Sequence, residues 1–271
     1  MGVADSPEGK VRCTDFSVNV RQDVLFFDHT LGLRDSTPTS LSVVKGDSGA
    51  HNAQKKFWRA SAKIVQGGFN FPLTSVNSGA MLNEAIYGGS FDMGFYYTCD
   101  MSRFLKDCKV NTYTFRAAAG EFATVSVDIM ARHMDVGSGA LPYTDVEKLL
   151  TWDSFNISGL GGGAISYIEF TVSNACMPIY TAGKNLAGDF SQLEPSTIRV
   201  GMQSLTGTFG YYTADSLDYL ETSGEKNIII TSGAAFSANL TVLLKPMTQN
   251  AAIAAPVIRT VAFVGVGTAI A

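Results

Sequence analysis

The stretch FATVSVDIMAR, residues 122–132, decides the fold class, because its apolar and polar side chains alternate from Ala123 to Ile129. Successive side chains of an extended strand point to opposite faces, so this pattern gives the strand one apolar and one polar face. The apolar face carries Val125, Val127 and Ile129. The polar face carries Thr124, Ser126 and Asp128. A strand of this kind separates a protein core from water.

A second stretch, AISYIEFTV at residues 164–172, repeats the alternation and places Tyr167 and Glu169 on its polar face. The connection AAAGE, residues 117–121, precedes the first stretch and suits the turn of a β-hairpin. Several short strands separated by turns predict a mainly β protein, α+β at the margin, built as a β-sandwich or barrel. Further strands are predicted at residues 110–116, 204–212, 227–230, 237–244 and 257–266.

Helical patterns are few in this sequence. In SVNSGAMLNEAIYGG, residues 75–89, apolar side chains recur at helical spacing, with Ser75 or Asn77 expected to cap the helix and Gly88 to end it. A second short helix is predicted for TDVEKLL, residues 144–150, which opens with a capping box. The β fold is therefore expected to hold one or two short helices.

No linker, internal repeat or low-complexity run divides the sequence, so we predict a single domain over residues 1–271. Residues 28–57 are polar and follow no regular period, which leaves residues 1–60 as an N-terminal arm or loop region. The stretch 251–271 is largely apolar, but Arg259 lies near its middle, where a charge costs about 2.5–3.5 kcal/mol on insertion into a membrane. A buried strand fits this stretch better, and no membrane insertion is expected.

The composition excludes several classes of protein. Hydrophobic residues make up 46% and charged residues 16% of the chain, so enough apolar surface exists to form a core, and a disordered chain is excluded. The net charge of −4 provides no basic surface of the kind that grips nucleic acid phosphates. The four cysteines form no CxxC pair and predict neither a zinc site nor a disulfide framework. They are Cys13, Cys99, Cys108 and Cys176.

Two motifs suggest chemistry, and neither has the context that the chemistry needs. GDSGA, residues 46–50, is similar to the nucleophile motif of chymotrypsin-like proteases, but His29 precedes Ser48 by only 19 residues, too few for the first barrel of that fold. GLGGGA, residues 159–164, has the spacing of a dinucleotide-binding fingerprint, but a predicted strand follows where the phosphate-binding helix should begin. We therefore predict no catalytic residues, no cofactor and no metal.

Four segments share their order and spacing with a known family. QGGFNFPLTSVNSGAMLNEAIYGG (66–89) passes from a strand to a helix, and LKDCKVNTYTFRAAAGEFATVSVDIMARH (105–133) forms a hairpin, with Asp107 where the family has glycine. AISYIEFTVSNACMPIY (164–180) ends its strand at Asn174. EPSTIRVGMQSLTGTF (194–209) carries Pro195, Ile198, Gly201, Thr206 and Gly207 in matching places. Together these segments resemble the tail tube proteins, or major tail proteins, of long-tailed bacteriophages.

The resemblance implies a β-sandwich or barrel subunit that assembles into hexameric rings. The stacked rings would form the tube of a virion tail, whose lumen conducts double-stranded DNA into the host without binding it specifically. The other partners that it implies are the tape measure protein and the tail terminator or baseplate proteins, with assembly in the cytoplasm of the bacterial host. A structural tube needs no active site, so no enzyme activity is expected.

The strands 110–116, 122–132 and 164–172 are expected to line the lumen, because a wall between water and protein needs one polar and one apolar face. Two alternatives to a tail tube protein stay open. One is another phage structural or adhesive β-protein, such as a distal tail, decoration or capsid-associated protein, and the other is a hydrolase on a β-sandwich scaffold. The residues expected to face the lumen are Thr124, Ser126, Asp128, Tyr167 and Glu169.

Overall fold

The structure is a computed structural model that describes the chain in segments. The backbone is described for residues 10–14, 22–25, 28–29, 32–35, 40–43, 55–58, 63–75, 79–96, 102–137, 148–160, 164–180, 194–212, 225–233, 235–245 and 258–270. Side chains are described for most of these residues between 63 and 266. The first six strands, β1 to β6, are Lys10–Thr14, Gln22–Leu25, Asp28–His29, Gly32–Asp35, Ser40–Val43 and Lys55–Trp58.

Helix α1, Ala80–Tyr87, lies between strands β7, Lys63–Pro72, and β8, Phe91–Tyr96. The next strands, β9 to β11, are Ser102–Ala118, Thr124–Ala131 and His133–Gly137. A turn of 3-10 helix, Trp152–Ser154, precedes β12, Asn156–Ser158. The remaining strands, β13 to β19, are Ile165–Ser173, Met177–Ile179, Thr197–Arg199, Ser204–Tyr212, Glu225–Ser232, Phe236–Leu244 and Ile258–Ile270.

Most of these strands belong to one antiparallel sheet with the order β12-β17-β18-β19-β16-β13-β9-β10-β7, and β3 and β4 pair with β7. Strand β9 takes part in two branches of the sheet. Its first half pairs with β8 and β11, and its second half pairs with β10 and β13. Strand β1 extends the first branch from β8 and pairs with β2. The mainly β fold predicted from the sequence is confirmed.

The apolar face of the sheet closes on itself around a layer of aromatic rings. Phe115 on β9 stacks on Phe170 of the neighbouring strand β13, with ring centroids 5.2 Å apart. Phe115 also stacks on Phe236 of β18 at 5.0 Å, although three strands separate β9 from β18 in the sheet. The sheet must therefore curve until its apolar face encloses the core. The predicted apolar residues are at most 1% exposed: Val125, Val127, Ile129, Ile168, Phe170 and Val172.

Asn174 joins helix α1 to the sheet at the point where β13 ends. Its side-chain amide is buried and donates to the carbonyl oxygens of Ala85 at 2.8 Å and Val110 at 2.9 Å. Its backbone amide donates to the Asn111 carbonyl at 2.8 Å. Gln203 donates to the side-chain oxygen of Asn174 at 3.0 Å. One buried side chain thus bonds to backbone carbonyls of both a helix and a strand, as buried polar groups require.

Gly207 leaves space for a large side chain in the core. It lies directly opposite Phe170 on one side and Phe263 on the other. A Cβ atom at this position would stand 2.2 Å from the ring of Phe263. The Phe263 ring can therefore pack at this position because Gly207 has no side chain.

The predicted helix is present but begins later than expected. Its N-cap is Gly79 and not Ser75, because the Ser75 backbone amide donates to the Lys148 carbonyl at 2.9 Å and continues the extended chain. Asn77, the other expected cap, lies outside the described residues. Gly88 ends the helix as predicted, with a left-handed φ of 63° that glycine adopts without strain.

The second predicted helix is wrong at its described residues. Residues 148–150 of the second predicted helix run as extended chain, and the Leu150 amide donates to the Leu73 carbonyl at 2.9 Å, while residues 144–147 lie outside the described part. Residues 28–57, whose sequence follows no regular period, contain β3, β4, β5 and the start of β6. Backbone pairing, such as that of β4 with β7, forms strands there without a regular hydrophobic period.

Replacing Asn174 by alanine should destabilise the subunit, because the buried Val110 carbonyl loses its amide donor. We expect the free energy of unfolding to fall by about 1–3 kcal/mol. The matched control is Asn156→Ala at an exposed position of β12, with an expected change within about 0.5 kcal/mol. Urea unfolding followed by circular dichroism measures both, and equal midpoints for the two variants would contradict the assigned role.

Candidate functional site

The polar side of β10, β9, β13 and β16 forms one continuous surface, which we call the hydroxyl face. The register places Ser126 opposite Thr114, and Thr114 opposite Thr171. The hydroxyl oxygens of Thr114 and Thr171 are 2.9 Å apart and share a hydrogen bond. The members of this face are Thr112, Thr114, Arg116, Thr124, Ser126, Asp128, Glu169, Thr171, Ser173, Ser204, Thr206 and Thr208. Apart from one arginine and two acidic residues, every member is serine or threonine.

The charges of the hydroxyl face offset one another. Arg116 lies directly opposite Thr124 on one neighbouring strand and Glu169 on the other. Its guanidinium is also 3.5 Å from the carboxylate of Glu121, and both side chains are more than half exposed. Such a pair contributes at most about 1 kcal/mol to stability, so its main effect is to reduce the positive charge on this surface.

Asp128 lies at the border of the hydroxyl face, where the β9–β10 pairing is irregular. The register shifts between Asp128 and Ile129, and the Asn111 side chain donates to the Asp128 carboxylate at 2.9 Å. An extra residue in one strand increases the local twist. The irregularity therefore helps the sheet to curve at the end that packs against helix α1.

Tyr167 extends the same face by one residue pair beyond Glu169. Its ring covers Gly210, where a Cβ atom would lie 2.3 Å from the ring. Its hydroxyl donates to the Thr260 hydroxyl on β19 at 3.0 Å. The ring thus spans β16 and links β13 to β19 on the polar side of the sheet.

All five residues predicted to face a lumen lie on this one side of the sheet. Thr124, Ser126 and Asp128 come from β10, and Tyr167 and Glu169 come from β13, two strands away. The intervening strand β9 supplies Thr112, Thr114 and Arg116, which the sequence reasoning did not select. Their alternation with Tyr113 and Phe115 was the signal that would have identified them.

A second group of polar residues, which we call the corner cluster, lies where β10 passes into β11. Arg132 pairs with Asp107 at 2.6 Å and donates to the Pro195 carbonyl at 3.0 Å. The two ring nitrogens of His133 lie 2.9 Å from the Glu194 carboxylate and 2.6 Å from the Asp135 carboxylate. Lys106 lies 3.5 Å from Asp135. The cluster thus fastens residues 194–195 to the sheet.

The geometry of the corner cluster favours a protonated His133. A neutral imidazole donates from one nitrogen only, whereas both nitrogens of His133 face carboxylate oxygens, which accept hydrogen bonds. Burial alone lowers the pKa of His133, but the hydrogen bonds and negative charges of Glu194 and Asp135 outweigh it and raise the pKa above its usual value. The hydrogen bond to His133 also holds the pKa of Asp135 below its usual range.

No other chemical centre is found in the described part of the chain. There, no group of three or more His, Cys, Asp or Glu side chains is arranged to hold a metal ion. Cys108 and Cys176 are buried free thiols, and burial raises the pKa of Cys176 to about 11. Cys13 and Cys99 lie outside the residues whose side chains are described. Among the described residues, no helix is both long and apolar enough to cross a membrane.

Replacing His133 by glutamine should change how stability depends on pH. The raised pKa of His133 stabilises the folded subunit below the ordinary histidine pKa, and this contribution is lost as pH rises through the folded-state value. Between pH 5.5 and 9, the wild-type free energy of unfolding should therefore fall relative to that of His133→Gln. Thermal unfolding over this range measures the difference, and a constant difference would contradict a protonated His133.

Comparison with known proteins assigns the chain to a family. The sequence model of a family described as phage tail tube protein matches residues 14–265, which is most of the chain. Among curated proteins, no sequence matches the chain. The match spans the strands of the hydroxyl face and the enclosed aromatic core. The chain therefore belongs to the phage tail tube protein family.

Proposed function

We propose that this chain forms hexameric rings that stack into a tail tube, with the hydroxyl face lining a lumen for double-stranded DNA. Membership of the family makes the chain a structural, non-enzymatic component of the virion that self-assembles into a tube. The proposal includes the sixfold symmetry of the rings, the passage of the genome through the lumen and the orientation of the hydroxyl face towards that lumen. The continuous sheet supports a single tail-tube domain over residues 1–271.

The composition of the hydroxyl face is the observation that carries this proposal. DNA binds proteins chiefly through its phosphates, and each cation that neutralises a phosphate adds affinity through release of counterions. A lumen through which DNA slides must therefore offer few unpaired cations. Arg116, the cation of this face, lies beside Glu169 and pairs with Glu121, and Asp128 adds a further negative charge. Hydroxyl groups keep the rest of the surface wetted without adding positive charge.

The rigidity of the wall gives a second argument. The side of the sheet opposite the hydroxyl face is buried, with Phe115 and Phe170 fully enclosed. A surface supported by close-packed rings keeps its shape when a polymer moves across it. Loops rarely provide a surface that keeps its shape, because their residues have few packed neighbours.

The further partners belong to the same proposal. A tube assembled from one kind of ring has two ends, and these require other proteins to start and stop it. We infer contacts with a tape measure protein and with tail terminator or baseplate proteins, and assembly in the cytoplasm of the bacterial host. The resemblance of residues 66–89 and 105–133 to tail tube proteins supports this part of the proposal.

Electron cryomicroscopy of the purified full-length protein tests the proposed function directly. We expect hollow tubes with six subunits per ring and with Thr114, Ser126 and Glu169 on the inner wall. Particles that remain monomers or closed oligomers under all assembly conditions would contradict the tube. A tube with these residues on its outer surface would contradict the lumen assignment alone.

Added positive charge on the hydroxyl face should slow the passage of DNA. Ser126 and Thr206 are exposed there, so a Ser126→Lys, Thr206→Lys double variant should still assemble. We expect genome release from virions carrying it to slow at least about tenfold at low salt and to recover as salt rises.

The matched control is the Ser158→Lys, Ser237→Lys double variant, which adds the same charge at exposed positions of β12 and β18. Release from these virions should equal that of the wild type. Equal release rates for the two double variants would show that the hydroxyl face does not line the path of the DNA.

A further inference from the structure

Three exposed apolar side chains gather near the C-terminal end of helix α1. Tyr87, Met177 and Met202 are 75%, 58% and 87% exposed. The Gln203 amide, next to Met202, donates to the carbonyls of Ala85 at 2.9 Å and Ile86 at 3.1 Å, so Met202 lies beside the helix end. We call Tyr87, Met177 and Met202 the helix-end cluster.

A backbone hydrogen bond connects the segment that carries Met177 to the segment that carries Met202. The Gly201 amide donates to the Asn174 carbonyl at 2.9 Å, which holds residues 201–202 against the chain just before Met177. Met177 also lies opposite Arg199 in the β14–β15 pair. The three exposed side chains are therefore carried by segments that are bonded to one another.

A second set of exposed apolar side chains lies at the other end of the same strands. Phe122, Tyr212 and Ile258 are 53%, 36% and 41% exposed. Tyr212 lies directly opposite Ile258 in the β16–β19 pair. Phe122 follows the β9–β10 turn and bridges to Thr151. Strands β9 and β13 lie between Phe122, which leads into β10, and Tyr212 on β16, so these side chains are spread along one end of the sheet. We call Phe122, Tyr212 and Ile258 the turn-end cluster.

The length of strand β9 gives the distance between the two clusters. Asn111 accepts the Asn174 amide at the helix end, and Ala118 begins the turn that leads to Phe122. Seven residues of extended chain span about 23 Å. The clusters are thus on opposite ends of the subunit's central sheet and cannot belong to one patch.

Two different apolar patches at opposite ends suit contact between identical copies in a head-to-tail arrangement. Such heterologous contacts generate rings where the rotation between copies closes and open-ended arrays where it does not, whereas a patch that pairs with itself closes after two copies. Aromatic residues and methionine are also enriched in protein interfaces. Resting on the proposed function, we propose that the helix-end cluster of one copy docks on the turn-end cluster of the next copy along the tube axis.

Two single variants and their mixture test this proposal. Met202→Asp blocks the helix end and Phe122→Asp blocks the turn end, with Ile258→Asp as a second turn-end variant should Phe122→Asp misfold. Each variant alone should give rings, while the sedimenting tube fraction falls at least about tenfold. Mixed one to one, they should give pairs of rings and nothing longer, because each pair then exposes only blocked ends. Sedimentation velocity and electron microscopy count the rings.

The matched control is Val136→Asp, which alters a side chain that is 66% exposed on β11, and it should leave tubes unchanged. Ring pairs formed by one variant alone would overturn the head-to-tail arrangement. Normal tubes from both variants, monomers in place of rings, or loss of tubes in the control would overturn the assignment of these clusters to the tube axis. Failure of the wild-type protein to form tubes would instead overturn the proposed function.

Discussion

The stacking of Phe115 on Phe236, with ring centroids 5.0 Å apart, brings together two strands that are separated by three others in the sheet. Phe155 packs edge-on against both rings, at 5.6 and 5.9 Å, and completes the layer. An open sheet would leave these rings in water, and burial of apolar surface is the main force that folds such a chain. The curvature of the sheet follows from this contact, and Gly207 and the irregular pairing at Asp128 permit it.

The curved sheet gives one set of strands two different surfaces. The inner side of β9, β10 and β13 is closed by aromatic and branched side chains, and the outer side carries hydroxyl groups bonded across the strands. Because side chains alternate along each strand, a shift of the strand register by one residue would move the apolar side chains to the outer side and the hydroxyl groups to the inner side. The hydroxyl face is therefore as firmly positioned as the core beneath it, although few of its own contacts are strong.

The sequence predicted the parts of the fold in which a local pattern decides the structure. Alternation over β10 and β13 was enough to assign their faces and to place Thr124, Ser126 and Glu169 together. Alternation did not predict strand β7, because Gly67 and Gly68 interrupt its pattern between Val65 and Phe69, and the family resemblance of residues 66–89 was what indicated a strand there. The role of Asn174 and the corner cluster around His133 were missed for another reason. The carbonyls that the Asn174 amide binds and the Glu194 partner of His133 are 61 to 89 residues away in sequence, and no local pattern records such contacts.

Strand β19 is the last in chain order, yet it lies between β16 and β18 in the sheet. Until residues 258–270 have left the ribosome, β16 and β18 have no common partner and the aromatic layer cannot be enclosed. Pairing between distant segments is slow to form, so the sheet closes only after β19 has been synthesised. Ile258, which lies beside Tyr212 at one end of the sheet, arrives with the same strand. A nascent chain thus lacks part of the surface through which copies would meet, and the position of one strand delays polymerisation until synthesis has passed it.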